Sequence, residues 1–369
     1  MVMLHPKLIL FTNNWVWNSP VFGAVVRMAD YFPVEQGVEN RVGLIAERVK
    51  LGYSVVIFPE GSRSADGDIK RFHKGASYLA EKLNIDILPI LVHGTGYTMT
   101  KGDFLLKNGK ITIEYLPRIK PADEKFGTGY SARAKGIGRY FREQYKQAVS
   151  RIEQPHYFRE RLIYNYLYKG PELEWYMKIK LLLEKNYQLF HDLLPTQGKL
   201  LDIGCGYGFM SYMLHFTSPQ REITGIDYDE EKIKTASHCF DKSTSLNFYF
   251  TDALDFAFEK YDGIILADML HYLQPAGQIQ LVEKCIRHLQ PGGTIIIREG
   301  NADLQKQHTR TRLTEFFSTR FFSFNKTTGK GLSFLPGNLL KDIAAKNNIA
   351  YSVIDQAKFT SNMVYLLKN

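Results

Sequence analysis

Residues 200–208, Leu-Leu-Asp-Ile-Gly-Cys-Gly-Tyr-Gly, form an apolar strand that ends in an acid followed by three alternate glycines. Glycine lets the backbone turn tightly and approach a ligand without a side chain in the way. The next residues, 209–215, are expected to begin a helix whose free amides face that ligand. The stretch therefore predicts a nucleotide-type cofactor loop at the end of a strand.

Acids also end the apolar strands that follow. Asp227 ends the next one, about 20 residues beyond the glycines, where a carboxylate can reach a ribose hydroxyl. Asp252 and Asp268 follow the third and fourth strands, and Pro291-Gly292-Gly293 precedes a fifth. Strands that alternate with helices in this way predict a doubly wound parallel sheet. The predicted strands are 199–203, 222–226, 246–250, 263–267 and 294–298.

In this order, these motifs resemble the class I S-adenosylmethionine-dependent methyltransferases, over roughly residues 171–369. A dehydrogenase-type site is less favoured, because Ser211 replaces the last glycine of G-x-G-x-x-G. The resemblance implies S-adenosylmethionine as cofactor, and it implies a role for each loop. The methionine part would be held by Asp202, Gly204, Gly206 and Gly208, the ribose by Asp227, and the adenine by Asp252 and Ala253, while Asp268 would line the pocket near the methyl group.

His271 is the one candidate general base near a strand end, needed only if the methyl acceptor loses a proton. The alternative is a structural histidine at the start of a helix. Residues 310–330, aromatic and basic, are expected to cap the acceptor or to form a packed extension of the fold. The sequence does not identify the acceptor, and we expect no metal site.

In the first half, an apolar run at 54–58, expected to form a buried strand, leads into the polar loop Glu60-Gly61-Ser62-Arg63. Gly61 permits a sharp turn, and an arginine can grip a phosphate through two parallel hydrogen bonds. The string F-P-E-G-S-R-S at 58–64 resembles the third motif of the glycerolipid acyltransferases of the lysophosphatidate type, and 70–76 and 87–92 resemble further family segments. The resemblance implies that Glu60, Gly61, Ser62 and Arg63 bind the phosphate of an acyl acceptor, with acyl-CoA or acyl carrier protein as the thioester donor.

The catalytic H-x-x-x-x-D pair of that family is missing. None of the ten histidines has an aspartate five residues later. Two explanations remain open: a chain that lacks part of a longer protein, which we favour, or a natural pseudo-enzyme. In both cases we expect no acyl transfer from the chain as given.

These patterns predict an α/β protein of two domains. Residues 1–150 form an acyltransferase-type α/β domain, residues 151–195 a helical connector, and residues 196–369 a Rossmann-like doubly wound methyltransferase domain. The arrangement resembles the C-terminal part of large bacterial fusions in which an exporter-type membrane region precedes the two transferase domains.

The net charge of +9 is unevenly distributed. Residues 1–170 contain 25 Lys and Arg against 16 Asp and Glu, whereas residues 171–369 contain 22 of each. The basic half indicates an anionic partner, such as a phosphorylated substrate or an acidic membrane surface, or simply a solvated basic surface. Three cysteines are too few for a disulfide framework, and no apolar run reaches the ~20 residues of a membrane span. We expect a cytoplasmic protein, with peripheral attachment to the inner face of the cell membrane as an open alternative.

The function we predict is a bifunctional lipid-type acyltransferase and methyltransferase whose acyltransferase half is inactive in this chain. The alternative is a methyltransferase joined to a non-catalytic phospholipid-binding or membrane-docking module. In both, the substrate is a lipid or small molecule. A nucleic-acid methyltransferase is less favoured, because the 58–64 loop has no role in it and an N/D-P-P-Y/F motif is missing. The oligomeric state stays open.

Overall fold

The computed structural model describes residues 7–12, 17–20, 23–28, 31–33, 39–62, 64, 67–99, 107–184, 186–300, 333, 338–354 and 362–369. The chain divides into two compact units, Met1–Ile152 and Glu153–Asn369. Residues 153–195, which the sequence places in a connector, belong to the second unit.

The first unit contains two small sheets among its described residues. A parallel sheet has the order β2-β1-β3, and β4 pairs with β5 in antiparallel fashion. The strands are β1 (Leu8–Thr12), β2 (Phe32–Pro33), β3 (Ser54–Val56), β4 (Ile90–His93) and β5 (Thr112–Tyr115).

The helices of the first unit pack beside these sheets. Ile45 and Leu79, from its second and third helices, join Ile9, Phe11 and Phe32 of the strands in one apolar cluster. The α-helices are α1 (Gly23–Met28), α2 (Val42–Lys50), α3 (Gly75–Leu83), α4 (Thr95–Thr98) and α5 (Tyr130–Ile152).

The second unit is built on a seven-stranded sheet of order β8-β7-β6-β9-β10-β12-β11. All neighbours are parallel except β12, which runs antiparallel to both β10 and β11. The strands are β6 (Gly198–Ile203), β7 (Arg221–Asp227), β8 (Leu246–Phe250), β9 (Tyr261–Ala267), β10 (Leu289–Gly300), β11 (Ala350–Ile354) and β12 (Asn362–Lys368). This confirms the predicted α/β class and the Rossmann-like sheet, with one strand inserted in the opposite direction.

Helices cover both faces of this sheet, so its central strands are nearly continuous apolar runs. Ile264, Ile265 and Leu266 of β9 and Ile295 and Ile296 of β10 are fully buried. The helices are α6 (Arg159–Asn165), α7 (Pro171–Leu183), α8 (Asn186–Leu193), α9 (Phe209–Thr217), α10 (Glu230–Ser237), α11 (Pro275–Arg287) and α12 (Leu339–Lys346).

The three helices before the sheet contribute to its main apolar core. Leu162 and Tyr166 lie in the same buried cluster as Phe190, Leu200 and Ile296, and so do Met177 and Leu181 of α7. Their apolar faces therefore explain why residues 153–195 fold with the second unit rather than as a separate connector.

A buried arginine at the start of β7 binds the carboxyl-terminal ends of two helices. The guanidinium of Arg221 is inaccessible to solvent and donates to the backbone oxygens of His191, Leu194, Pro195 and Leu214. These carbonyls lie at or just beyond the carboxyl-terminal ends of α8 and α9, where helices leave backbone acceptors unsatisfied. Burial lowers the pKa of Arg221 to about 10, so the side chain stays charged at neutral pH.

In the part of the chain that the structure describes, no helix combines the length and the apolar character needed to cross a membrane.

Candidate functional site

The predicted site residues of the second unit meet at one edge of its sheet. β6, β7, β8 and β9 are parallel, so the loops that follow them emerge at the same edge. β6 is central, and the chain proceeds from it to β7 and β8 on one side and then to β9 and β10 on the other. A crevice at such a reversal of strand order is where open α/β sheets bind ligands.

The glycine loop after β6 has the backbone that only glycine adopts readily. Gly204, Gly206 and Gly208 have φ angles of 72°, 55° and 78°. A Cβ atom at Gly204 would meet Met269 at 2.7 Å, and one at Gly208 would meet the Phe248 ring at 2.9 Å. At Gly206, by contrast, the nearest atom is Cδ of Lys232, at 4.0 Å. Gly206 therefore faces open space, whereas Gly204 and Gly208 are packed against other side chains.

Asp227, at the end of β7, holds this loop in place. Its Oδ2 accepts a hydrogen bond from the Gly206 amide at 2.8 Å, and its Oδ1 accepts one from the Asp229 amide at 2.9 Å. Each carboxylate oxygen has a further lone pair to offer, so two hydroxyl groups can still donate to it. Burial raises the pKa of Asp227 above its ordinary value, although both amides oppose that shift.

Asp202 lies deeper, at the end of β6. It is 2% exposed and accepts a hydrogen bond from the Ser211 hydroxyl at 2.5 Å. Burial raises the pKa of Asp202 to about 6, against the lowering effects of Ser211 and of Lys180.

The loop after β8 is held by a lysine that the sequence analysis did not single out. Lys284 donates to the backbone oxygens of Ala253, Leu254 and Phe256 at 3.3, 2.7 and 2.7 Å. Asp252 is exposed and accepts a hydrogen bond from the Leu254 amide at 2.7 Å. Asp252 and Ala253 thus sit on a fixed turn at the same edge.

Asp268, which follows β9, has a φ angle of 55°, uncommon for a residue other than glycine. It pairs with Arg298 at the end of β10 through two hydrogen bonds. Arg298 is 4% exposed and also binds Glu184, which directly follows α7. Burial alone would raise the pKa of Asp268, but the Arg298 guanidinium lowers it overall, so Asp268 is a carboxylate at neutral pH.

His271 is paired with a buried acid. Its Nδ1 lies 2.8 Å from Oε2 of Glu299, a residue that is 1% exposed, and Oε1 of Glu299 accepts the Leu270 amide at 2.6 Å. A carboxylate only accepts hydrogen bonds, so the histidine proton is placed on Nδ1. In the neutral ring, Nε2 is then the nitrogen that carries the acceptor lone pair.

The residues missed by the sequence analysis are Lys180, Glu184, Lys284, Arg298 and Glu299. Glu299 ends a strand like the acids that were identified, so its position was a usable signal. The other four have no local motif: Glu184, Lys284 and Arg298 meet partners far away in the chain, and Lys180 lies in a helix whose sequence carries no cofactor signal.

In the first unit, the loop after β3 is closed by the segment that follows it. Gly61 has a φ angle of 71°, and the His73 ring lies 3.1 Å from where its Cβ would be. Oε2 of Glu60 accepts a hydrogen bond from the Lys70 amide at 2.9 Å, and the Lys70 ammonium reaches the Ser62 hydroxyl at 3.5 Å. The structure therefore brings Glu60, Gly61 and Ser62 together.

Three predictions gain no structural account. Arg63 and the acceptor cap expected at residues 310–330 lie outside the described residues. The described residues also contain no group of three His, Cys, Asp or Glu side chains that could hold a metal ion.

The edge of the second sheet fits a nucleoside-based cofactor with a charged amino-acid part. Gly206 provides the open backbone, Asp227 provides acceptors for two hydroxyls, and the buried carboxylate of Asp202 lies beside them. These are donor and acceptor types that suit a ribose and an ammonium group.

Comparisons with known proteins agree with this division. Residues 2–93 match the family model described as Acyltransferase, and residues 200–293 match the one described as Methyltransferase domain. A 1-acyl-sn-glycerol-3-phosphate acyltransferase of Limnanthes alba is 31% identical over 116 residues, which cover 29% of this chain and 40% of that relative. A carboxy-S-adenosyl-L-methionine synthase of Campylobacter fetus is 30% identical over 122 residues, which cover 33% of this chain and 49% of that relative.

The chain thus spans less than half the length of either relative. Among solved structures, a SAM dependent methyltransferase from Archaeoglobus fulgidus has a TM-score of 0.39 and 16% identity, covering 52% of this chain and 94% of that one. The family matches and the sheet, rather than that likeness, establish an acyltransferase-type region followed by a methyltransferase-type domain.

Proposed function

We propose that this chain, which joins an acyltransferase-type region to a methyltransferase-type domain, transfers the methyl group of S-adenosylmethionine to a lipid or small-molecule acceptor. The observation that carries the proposal is the acid-and-glycine edge of the second sheet. There Gly206 leaves open space beside Asp227, whose two oxygens each have a lone pair to spare.

In this proposal, the loops divide the cofactor between them. The Gly204–Gly206–Gly208 loop and Asp202 hold the methionine part, Asp227 binds the ribose hydroxyls, and Asp252 with Ala253 lies along the adenine. When bound, the cofactor supplies an electrophilic methyl group on a sulfonium. Displacement at such a methyl requires an aligned acceptor and a dry cleft, so positioning supplies most of the catalysis.

Asp268 and His271 stand on the acceptor side of this arrangement. Asp268 is a carboxylate held by Arg298, and it can stabilise positive charge near the transferred methyl. His271 can take a proton at Nε2 while Glu299 holds the proton on Nδ1. An acceptor that loses a proton, such as a hydroxyl or an ammonium group, would use this pair.

Methyl transfer tests the proposal directly. The 369-residue chain is incubated with S-adenosylmethionine labelled in the methyl group and with lysophosphatidate, phospholipid vesicles or a small-molecule extract. We expect label in the lipid or small-molecule fraction. Label that enters only nucleic acid, or no binding of S-adenosylmethionine, would refute the proposal.

The first unit is proposed to bind the phosphate of a glycerolipid at its Glu60-Gly61-Ser62-Arg63 loop. An acyl thioester, acyl-CoA or acyl carrier protein, would be the donor of a complete acyltransferase. Because the H-x-x-x-x-D pair is absent from these 369 residues, we expect no transfer of a labelled acyl group from acyl-CoA to lysophosphatidate. Transfer that is lost in E60A would overturn this expectation.

A second candidate is a methyltransferase with a non-catalytic membrane-docking half. It is favoured by the charge distribution, since the whole excess of positive charge lies within residues 1–170. Each basic residue near an anionic surface adds about 1 kcal/mol of attraction. Salt-sensitive sedimentation with phosphatidylglycerol vesicles, but not with phosphatidylcholine vesicles, would support docking at the inner face of a cell membrane. Equal sedimentation with both lipids, or none, would exclude it.

A further inference from the structure

One face of helix α7 follows the edge of the sheet that holds the candidate cofactor site. Tyr176, Lys180 and Glu184 are spaced four residues apart and therefore lie on one side of the helix and its end. The Tyr176 ring lies 6.0 Å from that of Tyr207 in the glycine loop, measured between ring centroids. At the other end, Glu184 binds Arg298. This face therefore extends from the glycine loop to the end of β10.

Lys180 lies between these two anchors. Its side chain is half-buried and makes no hydrogen bond or ion pair with any residue that the structure describes. Interaction with Tyr176 and Glu184 raises the pKa of Lys180 against the effect of burial, so it stays charged at neutral pH. An ammonium offers three hydrogen-bond donors, so Lys180 can donate to an anion placed beside it.

The other three cations described at this edge already have partners: Lys284 donates to three backbone oxygens of the loop after β8. Arg298 has hydrogen bonds to both Asp268 and Glu184. Lys232 lies over the Tyr207 ring, 5.8 Å from its centroid, and interacts with the carboxylates of Asp227 and Asp229. Lys180 is therefore the cation at this edge with capacity for a new anionic partner among the described residues.

The chemistry of the proposed cofactor matches this arrangement. S-adenosylmethionine carries two positive groups, the sulfonium and the ammonium, and one negative group, the carboxylate. Asp202, Asp227 and Asp268 provide acids for the positive groups and the ribose. The positive charge of Lys180 also acts on two of these acids: it lowers the pKa of both Asp202 and Asp268, whereas burial raises it.

We propose that Lys180 binds the carboxylate of the amino-acid part of S-adenosylmethionine. The inference rests on the proposed methyltransferase function and adds α7, a helix outside the glycine motif, to the cofactor site. A charge-assisted hydrogen bond of this kind discriminates strongly between ligands that carry the carboxylate and ligands that lack it.

A cycle of protein variants and ligands tests the proposal. Isothermal titration calorimetry on the full chain compares S-adenosylhomocysteine with its analogue lacking the carboxylate, S-adenosyl-3-thiopropylamine. We expect K180M to weaken binding of S-adenosylhomocysteine roughly 10- to 100-fold and to leave binding of the amine analogue unchanged. K180R should recover most of the affinity. K178M, at an exposed position of the same helix, is the matched control and should bind as the wild type does.

Two results for K180M would overturn the inference alone: binding of S-adenosylhomocysteine as tight as in the wild type, or an equal loss of affinity for both ligands, which would indicate a packing role. A third result, failure of the wild type to bind S-adenosylhomocysteine, would refute the proposed function as well, so the two failures are distinguishable. If thermal unfolding shows that K180M does not fold, K180Q takes its place with the same expectations.

Discussion

The buried carboxylate of Asp202 reduces the free energy of unfolding of the domain that contains it. A carboxylate that is 2% exposed prefers to be neutral, and burial raises its pKa to about 6. The folded protein therefore binds this proton more tightly than the unfolded chain does. Stability is lost as the pH rises from about 4 to about 6, and the full penalty persists above that range.

The variant D202N tests this penalty. It removes the charge and keeps an acceptor for the Ser211 hydroxyl, so we expect it to be more stable than the wild type at pH 7 by up to roughly 3 kcal/mol. The difference should shrink toward zero near pH 4, where the wild-type carboxyl is also neutral. Urea unfolding of both proteins at the two pH values measures it. A difference that is independent of pH would contradict the account.

The glycine loop gives a second prediction at the scale of single residues. G206A adds a Cβ into open space, at a cost of about 1–2 kcal/mol for its positive φ angle, and should lose more in affinity for S-adenosylhomocysteine than in stability. G208A adds the same strain plus a clash with Phe248, so its thermal midpoint should fall further. Equal midpoints for the two variants, with ligand binding intact in G206A, would show that the open side of the loop is not the ligand side.

The residues that could be predicted from sequence are those with a local signal. Asp202, Asp227 and Asp268 each follow an apolar strand, and parallel strands bring their ends to one edge. Arg298 gave no such signal, because its partner Glu184 lies 114 residues away in the chain. Lys180 was equally hidden, since a helix that packs across the edge is recognised only in three dimensions.

At the level of secondary-structure elements, the strands of the second sheet were predicted closely. The prediction 246–250 coincides with β8, and 263–267 falls within β9 (Tyr261–Ala267). In the first unit, Pro89 interrupts the apolar run 85–92, and β4 begins only at Ile90, because proline cannot donate to a ladder. The antiparallel insertion of β12 could not be predicted, since a strand's sequence pattern does not specify its direction.

Arg221 provides the test at this scale. Its removal in R221M leaves several buried carbonyls at the ends of α8 and α9 without a donor, each costing about 1–3 kcal/mol. We expect the free energy of unfolding of the second unit to fall by about 3 kcal/mol or more. R287M, at an exposed arginine, is the control and should change it by less than about 0.5 kcal/mol. Comparable, small effects of both substitutions in urea unfolding would contradict the assigned role.

At the scale of the whole molecule, the division between the units predicts which fragments fold. Residues 153–369 retain α6, α7 and α8, whose apolar side chains belong to the core of the sheet. We expect this fragment to unfold cooperatively and to bind S-adenosylhomocysteine as the full chain does. The fragment 196–369, which starts at the boundary predicted from sequence, lacks Phe190 and exposes Leu200 and Ile296, so it should not fold. Cooperative unfolding of the shorter fragment, seen by circular dichroism, would show that the three helices are dispensable.

The proposed function requires the second unit to bind S-adenosylmethionine through its acid-and-glycine edge. Calorimetric titration of the 369-residue chain with S-adenosylhomocysteine, in the wild type and in D227A, tests this requirement. We predict one site per chain in the wild type and an affinity at least about tenfold weaker in D227A, because two backbone amides and the ribose share that carboxylate. The exposed acid variant E259A should bind as the wild type does. Absence of binding in the wild type, or equal binding in D227A, would contradict the account.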